Sequence, residues 1–310
     1  MSTQSSVPSS ACRCFAISIT PFDEQGVIDE EKLRGHFRYL GAGGVGVYVA
    51  GGASGEAFTF TRDENKLVLT AAAEELKGKA PVRAMGIEPR SAGQMIAFAE
   101  LAAEAGLDAV QVYSLDQGHG LRPSDAEMLA YYTEVLSNIS LPAVISSHHL
   151  SGYTIPLPII QQLLEKYEHL IGLNLSTPDI NYVTRVIDAV KGRAEVHVGG
   201  MQAAPAALML GGNGYLSSQA NLAPRLSQSV CEYFAAGDLA GMSAAFAKVL
   251  RLLSADATYG NVRGVKEALN QLGLHGGHVR PPRMPVDDAT RGAITKMLVD
   301  LDIRGEEKLA

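Results

Sequence analysis

Cysteine is scarce in this 310-residue chain. Cys12, Cys14 and Cys231 are too few and too scattered for a disulfide framework, and a Cys-x-Cys without a second pair is a poor zinc signal. These thiols read as small apolar residues. Runs of Lys and Arg are also missing. With 26 Lys+Arg against 33 Asp+Glu and a formal net charge of −7, nucleic acid and anionic membrane are excluded as main partners, since both demand clustered cations. No apolar stretch reaches the roughly 18 residues needed to cross a bilayer, because Gly, Glu or Lys interrupts each one. The start, MSTQSSVPSSACRC, lacks both the basic and the apolar regions of a secretory signal. It reads as a flexible leader, with a cytoplasmic location expected. What the chain does have is apolar content: 46% of residues are hydrophobic and 19% charged, enough for a large buried core.

That content is patterned. Short apolar runs rich in β-branched residues alternate eight times with longer helix-period segments, as a parallel sheet with helical crossovers requires. The strands are expected at 15–20, 46–51, 81–87, 109–114, 142–148, 170–176, 195–199 and 214–217. Several are almost continuously apolar, as for strands covered on both faces. In the helix expected at 92–105, Ile96, Phe98, Leu101 and Ala102 share a face while Glu100 and Glu104 point to water. Thr61 and Ser124, the latter with Glu127 three residues on, mark helix starts, and Gly106 and Gly211-Gly212 mark stops. Eight parallel strands predict a (β/α)8 TIM barrel rather than a doubly wound sheet. Helical segments at 222–235, 239–255 and 262–273 follow, then a proline-rich stretch and a last helix to 301. The expected organisation is one domain, with a leader over 1–14, a barrel over 15–235 and a C-terminal helical appendage over 236–310.

In such a barrel the chemistry sits at the C-terminal ends of the strands. Three of those ends stand out. Gly51-Gly52-Ala53-Ser54-Gly55-Glu56 can turn backbone N–H groups and the Ser54 hydroxyl toward a small anion such as a carboxylate, or can simply be a tight turn. On the fifth strand, alternation puts Ser146 and His148 on one face and Ser147 and His149 on the other. An imidazole at a barrel mouth suits general acid–base work, and also suits a structural role. Adjacent histidines on opposite faces make a poor metal pair, so no metal and no cofactor are expected, although Asp116 and His119 lie in the loop after the fourth strand. Asn174 interrupts an apolar run on the sixth strand, where an unpaired amide is costly, so it must have partners: a cross-barrel hydrogen bond or a substrate oxygen.

At these residues the chain resembles the dihydrodipicolinate synthase and N-acetylneuraminate lyase family. The shared signatures are Thr20-Pro21-Phe22 with Gly26 and Ile28-Asp29, Gly52 to Glu56 with Glu64, Gly211 to Gly214 through Ser217 with Ala220-Asn221 and Ala223-Pro224, and Val265 to Leu269 with Leu272-Gly273. The resemblance runs from about residue 15 to 301. It implies a class I lyase in which a lysine on the sixth strand condenses with a 2-oxo acid such as pyruvate, a tyrosine on the fifth relays a proton, and paired threonines after the second bind the carboxylate. On this chain the lysine position falls on Asn174, the tyrosine on Ser146, the threonines on Ala53 and Ser54, and the second tyrosine after the fourth strand on Gln117. Lys66, Lys77, Lys166 and Lys191 fall on helices or their ends, and Lys266 on a C-terminal helix. The expectation is therefore an enzyme of the lyase superfamily acting on a small oxo or hydroxy carboxylic acid without an imine. Asn174, His148 and Ser146 would be the catalytic set, with Gly52, Ala53, Ser54 and Gln117 binding substrate. The alternatives are a non-catalytic ligand-binding pseudoenzyme or, ranked last, a true dihydrodipicolinate synthase or sialic acid lyase. By the same resemblance the chain is expected to associate with itself as a homodimer or homotetramer.

Overall fold

A computed structural model describes residues 12–309 other than 191, 200 and 260. Most of the leader expected over 1–14, and Lys191, lie outside the described residues. Strands and helices alternate as β1 Arg13–Ile17, α1 Glu30–Ala42, β2 Gly46–Gly51, α2 Arg62–Leu76, β3 Val82–Gly86, α3 Ala92–Ala105, β4 Ala109–Val112, α4 Asp125–Ser137, β5 Ala143–His148, α5 Leu157–Lys166, β6 Leu170–Ser176, α6 Ile180–Val190, β7 Glu195–Val198, α7 Ala204–Met209, β8 Gly214–Ser217 and α8 Pro224–Ala235. The strands close in sequential order into a barrel, the expected (β/α)8 architecture. C-terminal to the barrel strands lie α9 Leu239–Tyr259, α10 Val262–Gln271, α11 Asp288–Asp300 and α12 Ile303–Glu307.

Local chemistry accounts for the boundaries. Thr61 and Ser124 each accept from the backbone N–H three residues on, and Glu64 and Glu127 return the bond, so both helix starts are complete capping boxes. Gly106 closes α3 in the left-handed conformation at φ 83°. β1 begins at Arg13, two residues ahead of the apolar run that marks it in the sequence. β4 stops at Val112, two residues before the expected end. α12 is five residues long, too short to leave a periodic signature. Its Glu307 accepts from the Arg225 and Leu226 N–H groups at the start of α8, both at 3.0 Å, so a carboxylate meets the unsatisfied donors of a helix N-terminus.

The described chain gathers into two compact units, one of residue 12 with 86–216 and one of 13–85 with 217–309. In the first, β5 and β6 are in register Ser146↔Asn174, Ser147↔Leu175 and His148↔Ser176, and β6 and β7 in register Asn174↔His197. Val144 and Leu173 are wholly buried. In the second, Phe15 pairs with Gly46 across β1 and β2. A Cβ on Gly46 would lie 2.4 Å from the Phe15 ring, which is why glycine opens β2. Asn221 ties this unit together: its Oδ1 accepts from the Ile19 N–H and contacts His36 Nε2, both at 2.9 Å, and its Nδ2 donates to Ile17 O at 2.7 Å.

Candidate active site

In the first unit, hydrogen bonds decide which strand face is which. Ser147 Oγ lies 2.8 Å from Tyr182 Oη on α6 and accepts from the Ile155 N–H at 3.0 Å. That face of β5 is therefore the helix side. Parallel register and alternation then place Ser146, Asn174 and His197 together on the opposite, inward face, with His148 continuing it at the strand end.

Asn174 is 1% exposed, and its Nδ2 donates to Gln111 Oε1 on β4. Gln111 is also 1% exposed, an amide set in the apolar Ala109–Val112 strand. Of the two kinds of partner expected for Asn174, a hydrogen bond within the barrel is present, to Gln111, a residue not among the expected site residues. His197, beside Asn174 in register, is 2% exposed with Nδ1 3.9 Å from Glu195 Oε2.

His148 sits where β5 gives way to a short 3-10 turn over His149–Ser151. Its Nδ1 lies 2.5 Å from Ser151 Oγ, and Ser151 Oγ donates to Glu88 Oε1 at 2.6 Å. Glu88, two residues beyond β3, stands 3.8 Å from Nδ1. Burial holds the imidazole below its ordinary pKa of 6.5, with Glu88 opposing that shift and His149 adding to it. Tyr113 meets the His148 ring edge-on at 6.2 Å between centroids, and Tyr153 lies at 6.4 Å. Gln117 reaches the same turn: its Oε1 would lie 3.2 Å from a Cβ on Gly152, which has φ +88°. The structure thus gathers Asn174, Ser146, His148 and Gln117 in one unit and adds Gln111, Glu88 and Ser151. Asp116 caps its own loop by accepting from the Gly118 N–H.

In the second unit, the glycine-rich segment after β2 is a tight turn. A Cβ on Gly55 would lie 2.7 Å from Gly51 O. Ser54 is 3% exposed with Oγ 3.1 Å from Ser218 Oγ, Gly52 is half-buried and Ala53 is exposed. Glu56 holds a left-handed φ of 58° with no exposure at all. Its carboxylate binds Lys266 Nζ at 2.6 Å and Arg283 at 3.1 Å. Lys266 Nζ also donates to His278 O at 2.7 Å and lies over the Phe22 ring. Lys266 does belong to a C-terminal helix, as the sequence reading has it, yet its ammonium reaches the turn after β2. Burial brings its pKa down from 10.5 to about 8, against the pull of Glu56. No described strand carries a lysine.

With this geometry established, comparisons with known proteins are specific. The model of the Dihydrodipicolinate synthetase family matches residues 11–301. The 4-hydroxy-tetrahydrodipicolinate synthase of Methanosarcina mazei is 26% identical over 92% of this chain and 96% of its own length. The enzyme of the same name from Pseudomonas aeruginosa is 28% identical over 85% and 89%. Among solved structures, dihydrodipicolinate synthase of Thermotoga maritima superposes with a TM-score of 0.85 at 22% identity, covering 94% of this chain and 98% of that one. At that identity the likeness speaks for the fold.

Proposed function

Because the chain belongs to the dihydrodipicolinate synthetase family, we propose that it is an enzyme of the lyase and aldolase superfamily that acts on a small oxo or hydroxy carboxylic acid without a lysine Schiff base. One observation carries the reading. The inward position on β6 at which the resemblance implies an imine-forming lysine is Asn174, and no described strand supplies a lysine instead. An amide nitrogen, its lone pair delocalised into the carbonyl, does not condense with a ketone. It can hydrogen-bond a carbonyl or a developing oxyanion, which is the electrostatic part of what an iminium does for the reaction. Gln111 fixes the Asn174 side chain in that reading.

His148 moves the proton. Its depressed pKa leaves it neutral near pH 7, the form required of a general base. Ser146, beside Asn174 in register, lines the same inward face, and Gln117 contacts substrate from the loop after β4. For Gly52, Ala53 and Ser54 the role is carboxylate binding through the backbone N–H groups of a tight turn and the Ser54 hydroxyl. Lys266 has no part in the chemistry, since ion pairing to Glu56 and 2% exposure close its amine to a carbonyl carbon. No cofactor is invoked. A cytoplasmic homodimer or homotetramer is the assembly proposed.

The test is a turnover screen of oxo and hydroxy acids, followed by His148→Ala on whichever substrate reacts. A loss of about 10² to 10⁴ in rate is expected for a general acid–base residue. Undiminished turnover removes His148 from the scheme. Thermal-shift binding of carboxylates with no chemical change in any of them would replace the enzyme with a non-catalytic binding protein.

A further inference from the structure

Ser151 stands between a carboxylate and an imidazole, with Oγ 2.6 Å from Glu88 Oε1 and 2.5 Å from His148 Nδ1. A serine hydroxyl has one hydrogen, and a carboxylate oxygen can only accept. The Ser151 hydrogen therefore goes to Glu88, and the 2.5 Å contact requires a hydrogen on Nδ1. The Ser151 backbone N–H also points at Nδ1 from 3.2 Å, the geometry of a donor to an unprotonated nitrogen. It would be the donor only in the opposite arrangement, in which Nδ1 accepts and the Glu88 carboxyl carries the proton. The hydroxyl contact is shorter by 0.7 Å (3.2 against 2.5) and leaves Glu88 as the anion, so it prevails.

We propose that Glu88, Ser151 and His148 form a hydrogen-bonded chain that fixes the imidazole with its hydrogen on Nδ1 and leaves Nε2 as the working base. The inference rests on the reading of His148 as the proton carrier and adds which nitrogen works and what holds it. Glu88 and Ser151 are positioning residues. Glu88 comes from the connection after β3, Ser151 from the turn after β5, and neither belongs to the residue set that the family resemblance implies.

The proton accounting closes within the protein and its substrate. A substrate O–H or C–H gives its hydrogen to Nε2, the bonding pair stays on the substrate as alkoxide or enolate, and the ring becomes imidazolium. Nδ1–H, through the Ser151 hydroxyl, sets that positive charge against the Glu88 carboxylate. The proton returns from Nε2 to the product. The other groups facing the imidazole are His149 on its own turn, Tyr113 at the end of β4, and Tyr153. Burial holds the Tyr153 phenol well above its ordinary range, so it remains neutral. Glu88 is the one anion among these groups.

Imidazole ¹⁵N spectra of the wild-type protein read the tautomer directly, with no substrate required. The His148 signal is assigned by its loss in His148→Gln. Free histidine side chains favour hydrogen on Nε2, so a protonated Nδ1 with an unprotonated Nε2 at neutral pH is the diagnostic result. Ser151→Ala should abolish that preference, Ser151→Thr should keep it, and Glu88→Gln, whose amide oxygen can still accept from Ser151 but carries no charge, should weaken it and move the His148 midpoint to lower pH. Hydrogen on Nε2 in the wild type, or a tautomer and midpoint unmoved by Glu88→Gln, overturns that arrangement. Either result leaves the proposed function standing on the His148→Ala turnover test. Undiminished turnover in His148→Ala would defeat that function even with the tautomer as stated.

Discussion

Glu56 with Lys266 and Glu88 with His148 are both acid–base pairs beside a strand end, and solvent separates their roles. Glu56 and Lys266 are 0% and 2% exposed in direct contact. Glu88 and His148 are 25% and 28% exposed with a hydroxyl between them. Two charges drawn fully out of water are held to each other and to Arg283, and little can move without leaving one bare. A partly exposed pair joined by a hydroxyl can gain or lose a charge on the imidazole at less cost, because solvent reaches it. The first pair braces the left-handed turn after β2, and the second has the freedom that the proposed proton transfer needs.

The largest effect expected follows from that contrast. Glu56→Gln leaves Lys266 buried without its anion and should cost about 3–5 kcal/mol in urea unfolding, whereas Glu88→Gln should change stability by about 1 kcal/mol or less. Equal costs would dissolve the distinction. Next in size is the acid limb of stability. Burial lowers the His36 pKa from 6.5 to about 4. The unfolded chain therefore binds more protons between those values. Stability should be complete above pH 6.5 and decline as the pH falls to about 4, by about 3 kcal/mol at 1.36 kcal/mol per unit. His36→Gln should remove its share of that slope, leaving the smaller parts from His148 and His275, whose pKa values burial also lowers. His148, partly exposed, should also be followed directly by NMR in the folded protein.

A smaller effect is expected at the inward amides. Asn174→Leu strands the Gln111 carbonyl in the interior and should destabilise by about 1–3 kcal/mol, with Gln111→Leu in the same background recovering part of it. Chemical denaturation of the three variants measures the coupling, and additive costs would mean the pair does not act as one. Smallest is Thr61→Ala, which removes the α2 capping box and should cost about 1 kcal/mol.

The fold was legible because the strands leave apolar runs, the longer helices leave a period, and helices such as α2 and α4 are marked by a cap. β2, β6 and β8 fall on the residues expected, as do both capping boxes. α12 escaped because one turn and a half has no period. In the site, Asn174 declared itself as an amide in an apolar strand. Gln111 carries the same signal in Ala-Val-Gln-Val and was open to the same argument. Glu88 and Ser151 carry none: they are loop residues 63 apart, joined only when the turn after β5 folds back toward the end of β3. The reach of Lys266 to Glu56, 210 positions away, was equally invisible, because no local pattern encodes which turn a C-terminal helix will meet.

The central claim, chemistry without an imine, is tested most directly by incubating the protein with pyruvate and borohydride and recording its intact mass. The account predicts no added mass. A reduced pyruvyl adduct, mapped by peptide analysis to Lys266 or to any other lysine, would contradict it.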